Sequence, residues 1–170
     1  SDAHSAERLT LMSQIGTAIA DGQMVVHYQP KVRLRDGCPL GVEALVRWEH
    51  PELGLIQPDD FVPLAEQSGA IGALTSAVLR SSIEQVQRWT EQGHALDLAV
   101  NISARTLHDQ NLMNRIFEEL ARGVLPPTRL VLEITETAVM ANPQGALRSL
   151  ERLAELGVRV SVDDFGTGYC

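Results

Sequence analysis

The chain has 170 residues, about the length of one domain, and its 14 basic and 22 acidic side chains give a formal charge of −8. With 44% hydrophobic and 21% charged residues, the composition is that of a folded globular protein and not of a disordered one. The acidic balance argues against a general binder of nucleic acid polymers, but it is compatible with a site that holds cations. No apolar run approaches the roughly 20 residues needed to cross a bilayer, so we expect no membrane association.

Cysteine and lysine are both scarce in this sequence. The two cysteines, Cys38 and Cys170, cannot form a disulfide framework, and the N-terminus lacks a signal-peptide pattern. We therefore expect a reducing, cytoplasmic setting for the chain. Among the basic residues, Lys31 is the single lysine.

Segments with the pattern of strands alternate with segments in which apolar residues have helical spacing. In chain order, the predicted elements are a helix at 7–20, strands at 24–29 and 41–47, a loop at 50–58, a short helix around Phe61 and Leu64, a helix at 70–92, a strand at 96–103, a helix at 106–121, a strand at 129–135, a helix at 143–156 and a strand at 158–163. Strands joined through helices of about ten or more residues imply right-handed parallel crossovers, and hence an α/β fold. The loop lengths are compatible with a barrel and also with an open sheet.

Four of the predicted strands carry a polar residue near their C-terminal ends, on the face opposite their large aliphatic residues. Alternation along each strand places these residues on the small-residue face: Glu43, Asn101, Glu133 and Asp163. The aliphatic face is expected to lie under the helices. If the strands are parallel, the four polar residues converge at one mouth of the sheet, where the active sites of α/β folds lie.

These side chains have the chemistry of a hard-cation site. Carboxylates that are gathered in one place repel one another unless a positive charge lies among them, and oxygen ligands suit Mg²⁺ or Mn²⁺. Asp164 adds a second carboxylate beside Asp163, and two ions would generate hydroxide and hold both oxygens of an in-line phosphoryl displacement. Arg47, on the Glu43 face, is placed to hold a phosphate. Any one of these residues taken alone is as easily a helix cap or a loop ligand, so the prediction depends on their convergence.

Six motifs, four of which contain these residues, follow one another through roughly residues 22–169. They are Tyr28-Gln29-Pro30, Glu43-Ala44-Leu45-Val46-Arg47-Trp48, Phe61-Val62-Pro63-Leu64-Ala65-Glu66, Asn101-Ile102-Ser103, Leu132-Glu133-Ile134-Thr135-Glu136, and Asp163-Asp164-Phe165-Gly166-Thr167-Gly168-Tyr169. This set, in this order, resembles the EAL-domain family, the cyclic-di-GMP phosphodiesterases of bacterial signalling. One three-letter motif would be weak evidence, whereas six in order are specific.

The resemblance implies a TIM-like (β/α) barrel that cuts cyclic di-GMP to linear pGpG with Mg²⁺ or Mn²⁺. Five positions match the family's metal ligands, the last of them for a second ion: Glu43, Asn101, Glu133, Asp163 and Asp164. Three of these are implied to act in catalysis by activating a metal-bound water: Glu43, Asp163 and Asp164. Three other positions match residues that bind substrate: Gln29, Leu45 and Arg47. Glu136 matches the glutamate that anchors the loop after the fifth strand.

The sequence is expected to supply an incomplete barrel of about five strands, since a full barrel of this class takes about 250 residues. We interpret residues 1–21 as an N-terminal helix, either the outer helix of the barrel or the end of a linker. Residues 22–170 are interpreted as the N-terminal two-thirds of an EAL domain, with the C-terminal strands absent. An unpaired sheet edge would favour self-association, as a homodimer or a domain-swapped assembly.

No position matches the family's catalytic lysine or the glutamate that completes its metal site, and Lys31 lies before the signature, in a different segment. Catalysis by the chain alone is therefore not expected. Two interpretations stay open at this point. One is a phosphodiesterase of which the chain is a part, and the other is a truncated module that binds cyclic di-GMP or signals without hydrolysing it.

Overall fold

The computed structural model describes residues 2–163. Its helices are α1 (Asp2–Ala20), α2 (Pro58–Ser68), α3 (Ile71–Glu91), α4 (Ala104–His108), α5 (Gln110–Ala121), α6 (Glu136–Ala141) and α7 (Pro143–Glu155). Its strands are β1 (Met24–Val32), β2 (Pro39–His50), β3 (Gly54–Ile56), β4 (Asp97–Asn101), β5 (Leu130–Thr135) and β6 (Arg159–Asp163). None of the helices in this part of the chain is long and apolar enough to cross a bilayer.

One mixed sheet organises the fold, with the strand order β1-β2-β4-β5-β6 and β3 beside β2. Strands β2, β4, β5 and β6 are parallel, which confirms the predicted parallel arrangement and the α/β fold class. Strand β1 runs antiparallel to β2 as a hairpin. The hairpin turns at Gly37, whose φ of 68° is accessible to glycine at little cost.

The parallel strands are staggered along the sheet. Glu43 pairs with Ala99 across β2 and β4, and the next polar position on β4, Asn101, pairs with Glu133 on β5. On the far side of β5, Thr135 pairs with Asp163. A stagger of this kind accompanies the strand tilt and curl by which βα sheets form barrels. The polar ends of successive strands therefore lie along one curled face.

The opposite face of the sheet is buried under the helices, as predicted. Leu98 and Leu130 are fully buried on this face, and Leu132 is 1% exposed. They share one hydrophobic core with helix residues that include Leu79 on α3 and Ile116 on α5. Burial of such side chains is the main favourable term in folding. The helices therefore cover the aliphatic face of the sheet and leave the polar face uncovered.

Helix α1 belongs to the same core, into which it buries Leu11, Ile15 and Ala18. A polar contact adds to this packing. The ring of His50 accepts two backbone hydrogen bonds at Nδ1, each 3.1 Å long, so Nε2 carries the proton and donates to Gln14 Oε1 at 2.8 Å. The assignment of residues 1–21 to an outer helix or a linker end stays a prediction.

Two local predictions are wrong, and one further helix had no prediction. The predicted 106–121 helix is broken at Asp109, whose carboxylate accepts hydrogen bonds from the Asn111 and Leu112 backbone N–H groups and so begins a new helix. The predicted 50–58 loop contains β3, which pairs with the end of β2. Helix α6, between the predicted elements at 129–135 and 143–156, was not expected. In each case a local cap or a pairing partner decides the outcome, and neither contributes to apolar periodicity.

Gly41 provides a test of the β2–β4 register. A Cβ atom at this position would lie 2.7 Å from the Asp97 carbonyl oxygen, which belongs to the neighbouring backbone and has little freedom to move. We expect Gly41→Ala to lower the free energy of unfolding by about 1–3 kcal/mol, the usual range for overpacking, in urea denaturation.

Gly16→Ala is the matched control, because a Cβ atom at that exposed helical position meets nothing within 4 Å. Alanine there is expected to be neutral or to stabilise the chain by about 0.5–1 kcal/mol. Equal stability changes for the two variants would contradict the close approach of β2 and β4.

Candidate functional site

Three of the predicted site residues lie on one face of three neighbouring parallel strands. Asn101, at the end of β4, lies opposite Glu133 on β5, while Glu43 on β2 lies opposite Ala99, two residues before Asn101. All three side chains are half-buried. The fold thus brings Glu43, Asn101 and Glu133 together on the concave face of the sheet.

Glu43 and Glu133 form a close carboxyl pair, and their side chains are hydrogen-bonded to each other. Lys31, on β1, joins the pair by donating from Nζ to Glu133 Oε1 at 2.7 Å. The Lys31 side chain is 50% exposed, whereas that of Glu133 is 19% exposed. Two carboxyl groups and one ammonium group therefore meet on this face.

The two carboxyl groups differ in proton affinity. Burial, together with the hydrogen bond and negative charge of Glu133, raises the pKa of Glu43 to about 7. Burial acts in the same direction on Glu133, but the hydrogen bonds from Glu43 and Lys31 outweigh it and hold the pKa of Glu133 below its usual value. Near neutral pH the pair therefore shares a proton, because two adjacent carboxylates cannot both ionise without a compensating charge.

The remaining predicted ligands lie at the margin of the described structure. Strand β6 ends at Asp163, whose backbone lies opposite Thr135. The Asp163 side chain and the whole of Asp164 lie outside the described part of the chain. Within residues 2–163, no three Asp, Glu, His or Cys side chains gather into a metal-binding group. The donors that this part of the chain does bring together are two carboxylates and the amide of Asn101.

This donor set fits a hard divalent cation. It consists of oxygen atoms on neighbouring strands, and the two carboxyl groups are held so close that one keeps a proton near neutrality. A cation can take the place of that proton, since metal binding to carboxylates releases protons and relieves the repulsion between them. Carboxylate and amide oxygens are ligands that Mg²⁺ and Mn²⁺ accept.

The three predicted substrate-binding residues flank Glu43. Gln29 lies opposite Glu43 in the β1–β2 ladder and is exposed, while Leu45 and Arg47 follow Glu43 on the same face of β2. The Arg47 guanidinium donates from Nη1 to the Val46 carbonyl oxygen at 2.8 Å and makes no ion pair with a carboxylate of residues 2–163. Its charge is thus available to an anion.

A cavity of about 60 Å³ opens beside Arg47, at the C-terminal ends of β2 and β4. Leu45 and Asn101 line it together with apolar side chains of α3 such as Ile71 and Val78. Small-molecule sites usually enclose about 300–1,000 Å³, so this recess has room for only part of a ligand. The substrate-binding role of Arg47 stays a prediction.

Glu136, the predicted loop anchor, is the first residue of α6 and is exposed. Thr135 caps the helix beside it by accepting a hydrogen bond from the Ala138 N–H at 3.1 Å. The segment that Glu136 is predicted to anchor lies outside the described residues, so the anchoring role stays a prediction.

The EAL domain family matches residues 12–170 of the sequence. The chain belongs to the EAL domain family. It is 43% identical over 169 residues to the bifunctional diguanylate cyclase/cyclic di-GMP phosphodiesterase MucR of Pseudomonas aeruginosa, covering 99% of this chain and 25% of MucR. It is 41% identical over 166 residues to the cyclic di-GMP phosphodiesterase PdeR of Escherichia coli, covering 96% of this chain and 24% of PdeR. This EAL chain thus spans about a quarter of the length of these relatives.

Solved structures support the same fold. The MucR phosphodiesterase in complex with cyclic di-GMP superposes with a TM-score of 0.86 at 42% identity, over 95% of this chain and 66% of that one. The FimX EAL domain of Xanthomonas citri in complex with cyclic di-GMP gives a TM-score of 0.80 at 25% identity, over 99% of this chain and 65% of that one. The expected fold class is confirmed: the chain has the α/β fold of EAL domains, which are TIM-like barrels.

Lys31 is the site residue that the sequence analysis set aside. It lies in a different segment from the motif that would hold the family's lysine, yet the structure places its Nζ atom on Glu133 in this EAL domain. The signal that could have found it is the hairpin register. Lys31 lies two residues beyond Gln29, and residues two apart on a strand share a face.

The pKa of Glu43 makes stability depend on pH. In the folded, metal-free chain Glu43 keeps its proton up to about pH 7, while its ordinary value is 4.5. Since the folded state binds the extra proton between these values, the free energy of unfolding should fall as the pH rises from about 5 to 8. We expect Glu43→Gln to flatten this slope in urea denaturation.

The control for this pH series is Glu151→Gln, at an exposed position on α7. It should keep the wild-type slope. Identical slopes in wild type and Glu43→Gln would show that the Glu43–Glu133 contact does not hold in solution.

Proposed function

We propose that this chain supplies the metal-binding and substrate-binding face of a phosphodiesterase domain that hydrolyses cyclic di-GMP to linear pGpG. The observation that carries the proposal is the convergence of Glu43, Glu133 and Asn101 beside an arginine that is free to bind an anion. Family membership supports the choice of cyclic di-GMP, since named relatives are cyclic di-GMP phosphodiesterases. The substrate is a cyclic diester with two anionic phosphates, which matches a site that pairs cations with an arginine.

Five residues would hold Mg²⁺ or Mn²⁺ in the two-metal form of the site: Glu43, Asn101, Glu133, Asp163 and Asp164. Such ions, when bound, lower the pKa of a coordinated water and hold the oxygens of the phosphodiester. The contribution of the chain itself begins at Glu43, which must give up the proton that it keeps up to about pH 7. Asn101 adds a neutral oxygen donor, so it binds a cation without adding to the repulsion between the carboxylates.

Binding of the nucleotide is assigned to three residues around Glu43. Arg47 presents its guanidinium to a phosphate, in the bidentate geometry that carboxylates and phosphates favour. Leu45 lines the rim of the adjoining cavity and offers an apolar surface to the nucleotide. Gln29 is exposed on the neighbouring strand, directly across from Glu43, and offers both a donor and an acceptor.

The alternative is a module that binds cyclic di-GMP without hydrolysing it. The observation that favours it is the engagement of the single lysine with Glu133, which leaves no free amine beside the carboxyl pair in residues 2–163. Hydrolysis needs a group that orients or deprotonates the attacking water, whereas binding does not.

We also propose a cytoplasmic setting, supported by the exposed free thiol of Cys38, which persists most readily in a reducing compartment. The formal charge of −8 disfavours binding to nucleic acid polymers and to anionic membranes. Self-association as a homodimer or domain-swapped assembly stays a prediction.

The role of Arg47 can be tested by nucleotide binding. We expect Arg47→Ala to weaken the affinity for cyclic di-GMP by about 10- to 100-fold in isothermal titration calorimetry, the usual value of a charge-assisted hydrogen bond. Arg148→Ala, at an exposed position on α7, removes the same charge and should leave the affinity unchanged. Equal affinities for the two variants would contradict the placement of substrate beside Arg47.

The reaction is tested by following linear pGpG by chromatography in the presence of cyclic di-GMP and MnCl₂. If the chain is a hydrolase, Glu43→Gln should lower the rate by about 100-fold or more, because the site loses a charged metal ligand. Binding of cyclic di-GMP without product would favour the binding module. Absence of both binding and product would contradict both functions.

A further inference from the structure

Lys31 reaches the carboxyl pair from β1, the strand at one edge of the sheet. Strand β1 is separated from β5 by β2 and β4, yet Lys31 Nζ lies 2.7 Å from Glu133 Oε1. Adjacent strands are about 4.8 Å apart, so a flat sheet would place these two strands about 14 Å apart, too far for the contact. The contact therefore indicates that the sheet curls, which brings the side chains of β1 and β5 together on its concave face.

The position opposite Lys31 favours this reach. Its partner in the β1–β2 ladder is Gly41, which has no side chain to stand between Lys31 and the middle of the concave face. The aliphatic part of Lys31 can therefore cross β2 and deliver the ammonium group to Glu133. The half-exposed side chain also has open space into which it can withdraw.

The Lys31 ammonium group and a divalent cation would compete for the same carboxylate. Glu133 is already bound by Lys31 through Oε1 and by Glu43 through a shared hydrogen bond. A cation held by Glu43 and Glu133 takes over these oxygens and repels the ammonium group at short range. Lys31 and the cation therefore cannot both occupy their best positions.

We propose that Lys31 is the built-in counter-cation of the metal-free site, and that a divalent cation displaces its Nζ atom from Glu133 Oε1 on binding. The inference rests on the metal site of the proposed function. It makes Lys31 a positioning residue, one that keeps the two carboxyl groups together before the ion arrives. It also means that Lys31 lowers the affinity for the ion, because the ion pair must be broken first.

The first test measures the affinity for Mn²⁺, with MnCl₂ as the probe in titration calorimetry. Lys31→Met should bind Mn²⁺ about 10-fold more tightly than wild type, since a competing positive charge next to a divalent ion is removed. Lys31→Arg keeps the charge and should stay within about 3-fold of wild type. Simple damage to the structure would weaken binding, so the direction of the change separates the two explanations.

Arg35→Met is the matched control for net charge. Arg35 lies in the hairpin turn near Lys31, its side chain is 82% exposed, and its ion pair with Asp36 is a distant 3.9 Å. Its removal should leave the Mn²⁺ affinity unchanged. If Arg35→Met tightened Mn²⁺ binding to the same degree, the inference would be overturned. The effect of Lys31→Met would then come from the change in net charge and not from the contact with Glu133.

The second test uses the wild-type chain and needs no substitution. Because Lys31 is the single lysine, amine acylation followed by peptide mass spectrometry reports on Lys31 separately from the N-terminal amine. Displacement from Glu133 should raise the acylation rate of Lys31 by about 2-fold or more at saturating MnCl₂, as an ion-paired amine is a poorer nucleophile. The rate at the N-terminal amine should not change.

The outcomes distinguish this inference from the proposed function. If wild type binds Mn²⁺ and Glu43→Gln weakens that binding, the metal site stands. An unchanged or lower affinity in Lys31→Met, or an unchanged or lower acylation rate, would then overturn the role of Lys31 alone. If Mn²⁺ binds with no dependence on Glu43, or does not bind, the metal site fails and the displacement fails with it.

Discussion

The close parallel approach of β2 and β4 is the contact on which the concave face depends. At Gly41 the two backbones are so near that a Cβ atom would lie 2.7 Å from the Asp97 carbonyl oxygen. In the register of this pairing Glu43 lies opposite Ala99, and the β4–β5 ladder places Glu133 opposite Asn101. A shift of one residue would turn these polar side chains toward the helices and the aliphatic ones toward the open face.

The register has an electrostatic cost, because it presses two carboxyl groups together in a half-buried place. The chain meets this cost in two ways: Glu43 keeps a proton up to about pH 7, and Lys31 donates to Glu133. The proton on Glu43 and the ion pair of Lys31 are both local and reversible. Apolar side chains in place of the two carboxyl groups would make the fold more stable but could bind no ion. The arrangement is typical of sites where stability is given up for binding.

The two faces of the sheet therefore contribute unequally to the free energy of unfolding. Leu98, Leu130 and Leu132 are almost completely removed from water under the helices, so that face accounts for most of the stabilisation. The concave face contributes little and is free to hold polar groups, including Arg47, whose guanidinium has no carboxylate partner in residues 2–163. This division is why polar residues can be collected there without loss of the fold.

From the sequence alone, local and periodic features could be predicted. Alternation along the strands determined that Glu43, Asn101 and Glu133 share a face, and helical spacing determined the helices that cover the other. Tertiary structure alone decided the contact of Lys31 with Glu133, because it depends on the curl of a sheet over four strands. This contact joins residues 102 positions apart, and alternation along β1 places Lys31 on the face of Gln29 without indicating Glu133 as its partner. The break at Asp109 was likewise decided by a cap that competes with helical periodicity.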